Sequence, residues 1–245
     1  TYSMTRNIFE DVNGRSLGGT PNDALIVGDS VLCIAVADEN RVEFVNTTTK
    51  KADVAVSIDN PRELAYESGS NYLYVSSYTG KVYKIDMTTR TIAGESEKVG
   101  ANLEGIAVAG NNLYEPVVAP NGNVYVAGKD NCVYCLDKDL TKVIWQYQHK
   151  DSDGKTTNAF NYSHPCVDTE NHLYITSGQA GNVTYVFNAD GSIKESWTYG
   201  SSKNQKQMGG NNYLNGVLYS AFVGASGENG AFYGKYVGGE RANTW

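Results

Sequence analysis

Histidine, cysteine and proline are all scarce in this 245-residue chain, with 3, 4 and 5 copies. The four cysteines (Cys33, Cys132, Cys135, Cys166) are too few and too scattered for the disulfide framework of a small secreted domain. Cys132 and Cys135 have the CxxC spacing, but they lie in a strand-like run, 131–136 (NCVYCL). At a period of two, positions three apart point to opposite faces, which is poor geometry for a shared metal. The run predicts one buried and one half-exposed thiol, against the alternative of a redox or zinc pair. Basic runs are missing too. With 20 basic against 27 acidic residues the formal net charge is -7, so nothing suits tracking a nucleic-acid backbone or an anionic membrane surface. No apolar stretch approaches the length of a transmembrane helix. No leader is visible either, although a chain beginning at Thr1 makes that weak evidence on location. Helical patterning is almost absent: no long window shows a clean 3.6-residue period.

What is present is a β-rich composition, 40% apolar, with 18 Tyr and 26 Gly. Tyrosine suits strands whose rings are buried while the hydroxyl finds a polar partner. Glycine suits a chain that turns often. The length fits one large all-β domain or two small ones.

The main signal is internal repetition. An apolar strand at 31–36 (VLCIAV) is followed by a polar turn, a second strand at 41–45 (RVEFV) and a Thr-rich turn. The pattern returns as 72–77 (YLYVSS) with 81–86 (KVYKID), as 123–128 (NVYVAG) with 132–137 (CVYCLD), and as 172–177 (HLYITS) with 183–188 (VTYVFN). A looser copy is 217–222 (VLYSAF) with 231–236 (AFYGKY). Each copy is preceded by a short apolar strand, at 24–27, 63–66, 105–108 or 165–168. A more polar strand follows, as at 144–148 (IWQYQ) and 195–199 (ESWTY), whose Trp residues would cover the gap to a neighbouring unit.

Four short antiparallel strands per repeat of about forty residues is the unit of a propeller blade. The expectation is therefore an all-β chain, a single β-propeller domain over 1–245, nominally of six blades with seven allowed. First strands would line the axis and fourth strands would face solvent. The rhythm breaks once: 112–114 (NLY) reads as a second strand, yet 117–122 (VVAPNG) already opens another unit. Either one blade is reduced, or residues are missing between Tyr114 and Val117. The segment 2–10 could supply a strand that closes the ring.

The early repeats resemble the YVTN/YncE-type propellers, including the surface lipoproteins of Bacteroidota. The residues that carry this are 9–14 (FEDVNG), 17–23 (LGGTPND), 60–66 (NPRELAY) and 73–76 (LYVS). The segments 119–130 (APNGNVYVAGKD) and 133–137 (VYCLD), with Trp145, look more like quinoprotein (PQQ-like) repeats. The segments 164–168 (HPCVD) and 171–174 (NHLY) resemble NHL repeats. The resemblance implies a surface or periplasmic module that binds nutrients such as glycans or corrinoids, often beside an outer-membrane transporter. The wider superfamily also holds lyases and lactonases. A PQQ enzyme would resemble the middle repeats, but the chain is short for that class and its two nearby cysteines are not adjacent.

Propeller sites lie at one mouth, on loops entering the first strand and loops joining the second and third. Those positions are Asn22 and Asp23, Arg62 and Glu63, Asn102 and Glu104, Tyr162 and His164, and Gln207 and Met208. The second-to-third loops add Glu39, Tyr78, Lys129 and Gln179. From these, Asn22, Arg62, Tyr78, Glu104, Lys129, Tyr162 and His164 form the candidate site for a polar small molecule or glycan. The alternative is that Arg62 and Glu104 simply pair with neighbouring charges. Of the histidines, only His164 stands at the mouth. His172 is expected exposed in a hairpin turn, and His149 solvent-facing at the end of an outer strand. Three histidines so placed do not converge on a metal.

No cofactor motif and no catalytic set is legible. Asp23, Glu63 and Glu104 are candidates for paired-carboxylate hydrolysis only because mouths collect charge. The segment 151–154 (DSDG) begins like a calcium loop but lacks the later bidentate Glu, so a turn is expected. Glycosylation triplets at Asn46, Asn161 and Asn182 would matter only in a secreted eukaryotic protein. The reading is a non-catalytic, extracytoplasmic binding propeller, with a propeller lyase or hydrolase and a protein-interaction scaffold as alternatives.

Overall fold

The computed structural model describes residues 18–67, 69–108, 121–150, 154, 160, 164–177, 183–198, 205–214, 216–224, 231–236 and 241–244. They fold into five antiparallel sheets, each following chain order from its first strand outward. The first sheet holds β1 (Pro21–Val27), β2 (Val31–Val36) and β3 (Arg41–Asn46), edged by two short pieces, β4 (Lys51–Ala52) and β5 (Val56–Ser57). The second holds β6 (Pro61–Glu67), β7 (Tyr72–Ser77), β8 (Val82–Asp86) and β9 (Thr91–Glu95). The third holds β10 (Leu103–Val108), β11 (Val124–Gly128), β12 (Cys132–Leu136) and β13 (Val143–Gln148). The fourth holds β14 (Cys166–Val167), β15 (Leu173–Ser177), β16 (Val183–Phe187) and β17 (Ile193–Thr198). The fifth holds β18 (Gln205–Leu214), β19 (Val217–Gly224), β20 (Ala231–Tyr236) and β21 (Arg241–Thr244).

These sheets resemble propeller blades, and their first strands are mutual neighbours in the series β1, β6, β10, β14, β18. No strand pairing joins the fifth sheet to the first among the described residues. The expected closing strand at 2–10 and the expected junction at 114–117 both lie outside those residues.

The turns follow from side-chain chemistry. Asn46 Oδ1 accepts from the Thr48 and Thr49 amides at 3.0 and 2.8 Å, and Asp86 Oδ1 from Thr88 and Thr89 at 2.7 and 3.0 Å. A carboxamide or carboxylate at the end of the third strand thus supplies acceptors that the turning backbone lacks. Lys50 and Arg90 complete these turns at φ 56° and 55°. The Thr-rich repeat in the sequence is the trace of that capping.

Burial sorts the strands. β11, β12 and β15 are buried at every position, because each sheet is covered on both faces. The outer strands β13 and β17 alternate exposed and half-buried residues. Tyr74, Tyr125 and Tyr174 occupy matching positions in β7, β11 and β15 and are all 0% exposed. Hydroxyls and indoles stitch neighbouring sheets: Tyr74 donates to the Lys138 carbonyl at 3.0 Å, and Trp145 Nε1 to the Ala189 carbonyl at 2.9 Å. Trp145 packs between Tyr125 and Phe187, with ring centroids 5.7 and 5.5 Å away, and so covers the gap as its position predicts. Gly191 lies against the indole at φ 86°, where a Cβ would come within 2.8 Å of the ring.

Trp145→Ala should lower unfolding free energy by about 2 kcal/mol, less than a fully buried aromatic deletion because the indole is half-buried. Gly191→Ala should cost about 1 kcal/mol or more, from the left-handed backbone and the crowded indole. Urea denaturation followed by far-UV circular dichroism measures both; unchanged midpoints would refute this account of the seam.

Candidate functional site

The site begins as an irregularity in backbone pairing. In β1, β6 and β10 the register slips near the start, between Pro21 and Asp23, between Pro61 and Leu64, and between Leu103 and Gly105. A bulge at this place re-aims a side chain that regular pleating would send to a sheet face. The residues in the slips are Asn22, Arg62 with Glu63, and Glu104.

Glu104 is the centre of the resulting cluster. Its Oε2 accepts from Arg62 Nε at 3.0 Å, and its Oε1 accepts from Arg62 Nη2 at 3.2 Å and from Lys129 Nζ at 2.9 Å. Its side chain is only 10% exposed, so this is a semi-buried triad joining β10, β6 and the β11–β12 loop. Tyr78, from the β7–β8 loop, receives a hydrogen bond from Lys129 Nζ on its hydroxyl at 3.1 Å. The Arg62 guanidinium lies 4.6 Å from its ring centroid and Lys129 Nζ lies 4.9 Å away. Both are cation–π distances. Glu104 and Tyr78 together hold the Lys129 ammonium charged, against the opposing effect of burial.

A second chain of contacts runs beside it. Asp23 Oδ2 accepts from the Leu64 amide at 2.8 Å, and Glu63 Oε2 from the Ile106 amide at 3.1 Å. The first and second sheets therefore each lend a carboxylate to a first-strand N–H of the next. Pairing with Tyr74, Tyr125 and Tyr174 makes Ala65, Ala107 and Cys166 equivalent. The positions two before these are Glu63, Gly105 and His164, and the positions one before are Leu64, Ile106 and Pro165. The acid is thus absent, as Gly105, where the recipient is a proline with no N–H to satisfy. His164 instead turns its Nδ1 onto Glu63 Oε1 in direct contact. One carboxylate, Glu63, so ties the second, third and fourth sheets together. Burial raises its pKa while His164 opposes the rise. Burial acts to lower the imidazole's pKa, but contact with Glu63 and the charges of Asp23 and Glu104 raise it on balance.

Of the sequence-predicted residues, Arg62, Tyr78, Glu104 and Lys129 are brought into contact, and His164 joins through Glu63. Asn22 stands exposed at its bulge and takes part in none of these bonds. Tyr162 and Gln179 lie outside the described residues, as do the side chains of Gln207 and Met208. Glu39 turns away to pair with Arg41 at 2.9 Å. Sequence reasoning missed Ser76, whose Oγ accepts from the Glu63 amide at 3.1 Å and donates to the Glu104 carbonyl at 3.4 Å. Its place opposite the β6 bulge was the available signal.

Two histidines are not where the sequence put them. His149 is 2% exposed, its Nδ1 is 2.7 Å from the Tyr185 hydroxyl, and Phe160 meets its ring edge-on. His172 is 9% exposed because Asp168, itself buried, binds its Nδ1 at 2.9 Å, its amide at 2.9 Å and the Tyr174 hydroxyl at 2.7 Å. The expected pairing of one buried with one half-exposed thiol also fails: Cys132 and Cys135 are 3% and 0% exposed, because β12 is covered on both faces. Among the described residues, no group of three or more His, Cys, Asp or Glu could hold a metal ion. No described helix is long and apolar enough to cross a membrane.

No family model and no curated protein matches the chain. Solved structures do. A chain of the mitotic checkpoint complex aligns with TM-score 0.72 at 12% identity, over 94% of this chain and 66% of that one. BamB from Moraxella catarrhalis aligns with TM-score 0.68 at 13% identity, over 91% of this chain and 63% of its own. Hydrazine synthase from Kuenenia stuttgartiensis aligns with TM-score 0.67 at 17% identity, over 99% and 69%. The chain spans about two thirds of the length of these structures. At such identities the likeness establishes the shared β-sheet architecture, a distant propeller-type relationship, and no common activity.

The raised His164 pKa implies that the fold binds this proton more tightly than the unfolded chain. That stabilisation is complete below the unfolded value of 6.5 and is lost as pH rises through the higher folded value. The melting-temperature difference between the parent chain and His164→Gln should therefore shrink from about pH 6 to about pH 8. Equal differences at both ends would refute the pairing with Glu63. The four cysteines are buried, with Cys33 and Cys135 thiols pushed up to about 12 by desolvation. A disulfide-exchange reagent at neutral pH should leave all four unmodified until denaturant is added, and rapid native labelling would contradict their burial.

Proposed function

We propose that this chain is a non-catalytic, extracytoplasmic binding propeller that holds a polar small molecule or glycan at the mouth formed by its bulged first strands. In this reading the five described sheets belong to one domain over residues 1–245. That domain closes as a ring of nominally six blades, or seven if the junction at 114–117 marks lost residues. The observation that carries the reading is the cluster of Arg62, Tyr78, Lys129 and Glu104. Two cations and a half-exposed aromatic ring converge there on one rim, from strand β6 and from the β7–β8 and β11–β12 loops. Rigid strands with a few convergent polar groups are what small-molecule sites are built from.

The YVTN/YncE-type resemblance of the early repeats supports placing the chain at a cell surface or in a periplasm, with an outer-membrane transporter as its partner. No cofactor, no metal and no nucleic acid enters this reading.

A hydrolase or lyase is the second reading, favoured by the direct Glu63–His164 contact. A carboxylate that orients an imidazole and raises its basicity is the usual setting of a general base. It predicts turnover that Glu63→Gln abolishes.

Titration calorimetry against neutral, amino and acidic sugars tests the binding reading. Arg62→Ala and Glu104→Ala should each weaken binding by about tenfold or more, a loss of about 1.4 kcal/mol. Undiminished affinity in both variants would remove the mouth as the site.

A further inference from the structure

Resting on the mouth-binding reading above, we infer that the ligand carries a carboxylate, an acidic sugar of the uronate kind, received by Arg62 and Tyr78 beside Glu104. The argument is an inventory of spare hydrogen-bonding capacity. All six carboxylate oxygens at the mouth already accept from the protein. Asp23 takes the amides of Ala24 and Leu64, both at 2.8 Å. Glu63 takes the Ile106 amide and His164. Glu104 takes Arg62 twice and Lys129 once.

Beside them stand donors that are not fully engaged. A guanidinium has five N–H groups, and among the described residues two of those on Arg62 are engaged, both with Glu104. Tyr78 accepts from Lys129, but its own O–H has no acceptor among the described residues. His164 Nε2 is likewise without a described partner, and is a donor whenever Glu63 keeps the ring protonated. Spare donors on Arg62, Tyr78 and His164 favour a ligand that offers acceptors.

Charge narrows the class further. Arg62, Lys129 and protonated His164 balance Asp23, Glu63 and Glu104, so one added negative charge meets no net repulsion locally. The whole chain, at -7, disfavours a polyanion. A planar guanidinium already stacked on an aromatic ring is pre-organised for bidentate carboxylate recognition. The exposed part of the Tyr78 ring then meets the C–H face of the sugar.

The test is titration calorimetry at about pH 6 with D-galacturonate, its methyl ester and D-galactose. Arg62→Gln and Arg62→Lys are the variants, and a cooperative melting transition above the titration temperature establishes that each is folded. The acid should bind about tenfold more tightly than the ester or galactose. Arg62→Gln should erase that preference, while Arg62→Lys, which keeps charge without the bidentate fork, should retain part of it. Equal binding of all three sugars, weakened together by Arg62→Gln, would overturn the carboxylate inference and leave the mouth reading standing. Binding of none, or a preference that survives Arg62→Gln, would overturn both.

Discussion

The inner edge of each sheet poses a problem that the rest of the molecule is arranged to solve. A first strand pairs with its second strand on one side only, and in β6 and β10 the other edge presents the amides of Leu64 and Ile106, both buried residues. A buried amide without a partner costs about 1–3 kcal/mol. Asp23 and Glu63 answer it by reaching across to the Leu64 and Ile106 amides. At the next step the chain removes donor and acceptor together, with Gly105 in place of the acid and Pro165 in place of the amide. The inner surface is thus organised by hydrogen-bond accounting between sheets, where the outer strands are held mainly by apolar packing around residues such as Trp145.

The candidate site grows out of the same solution. To aim Glu63 at the Ile106 amide, β6 must slip register, and the slip also swings Arg62 out of the pleat. The equivalent slip in β10 delivers Glu104 to meet it. Once those two are paired, Tyr78 and Lys129 have a charged platform to pack on. The proposed binding rim and the contacts that hold the sheets together are built here from adjacent residues of one bulge. Stability and recognition are therefore coupled at this place, and a change at Glu63 is felt at Arg62 through the backbone they share.

Much of the scaffold could be read from the sequence because its determinants are local. The Leu-Tyr-Val and Val-Tyr-x-Ile-Asp runs announce buried central strands, and Asn46 or Asp86 followed by threonines announces a capped turn. Repeat equivalence also located Arg62 and Glu104, since they stand 42 residues apart in matching positions. Two of the failures arise from contacts that cross from one sheet to another, whereas the His172 failure is local, a contact within its own turn. His172 reads as a polar turn residue until Asp168 is seen folding back onto it. His149 reads as the end of an outer strand until Tyr185 and Phe160 close over it. The pairing of Glu63 with His164 joins sheets that are not neighbours in the chain. Nothing in either segment alone encodes it.

The Arg62–Glu104 pair can be read as a structural ion pair or as part of a binding site, and the geometry makes these compatible. A purely structural pair is most favourable when its hydrogen-bonding capacity is exhausted, because unspent donors on a half-buried cation incur desolvation without return. Among the described residues Arg62, with a side chain 20% exposed, commits two N–H groups to Glu104 and stands beside a hydroxyl whose proton has no acceptor. Glu104 therefore acts as a clasp. It fixes the plane of the guanidinium and removes the entropy that a free arginine would lose on binding, while leaving part of the fork open. In the proposed site a ligand carboxylate would meet a donor array already in place, and more of its interaction energy would be retained as affinity.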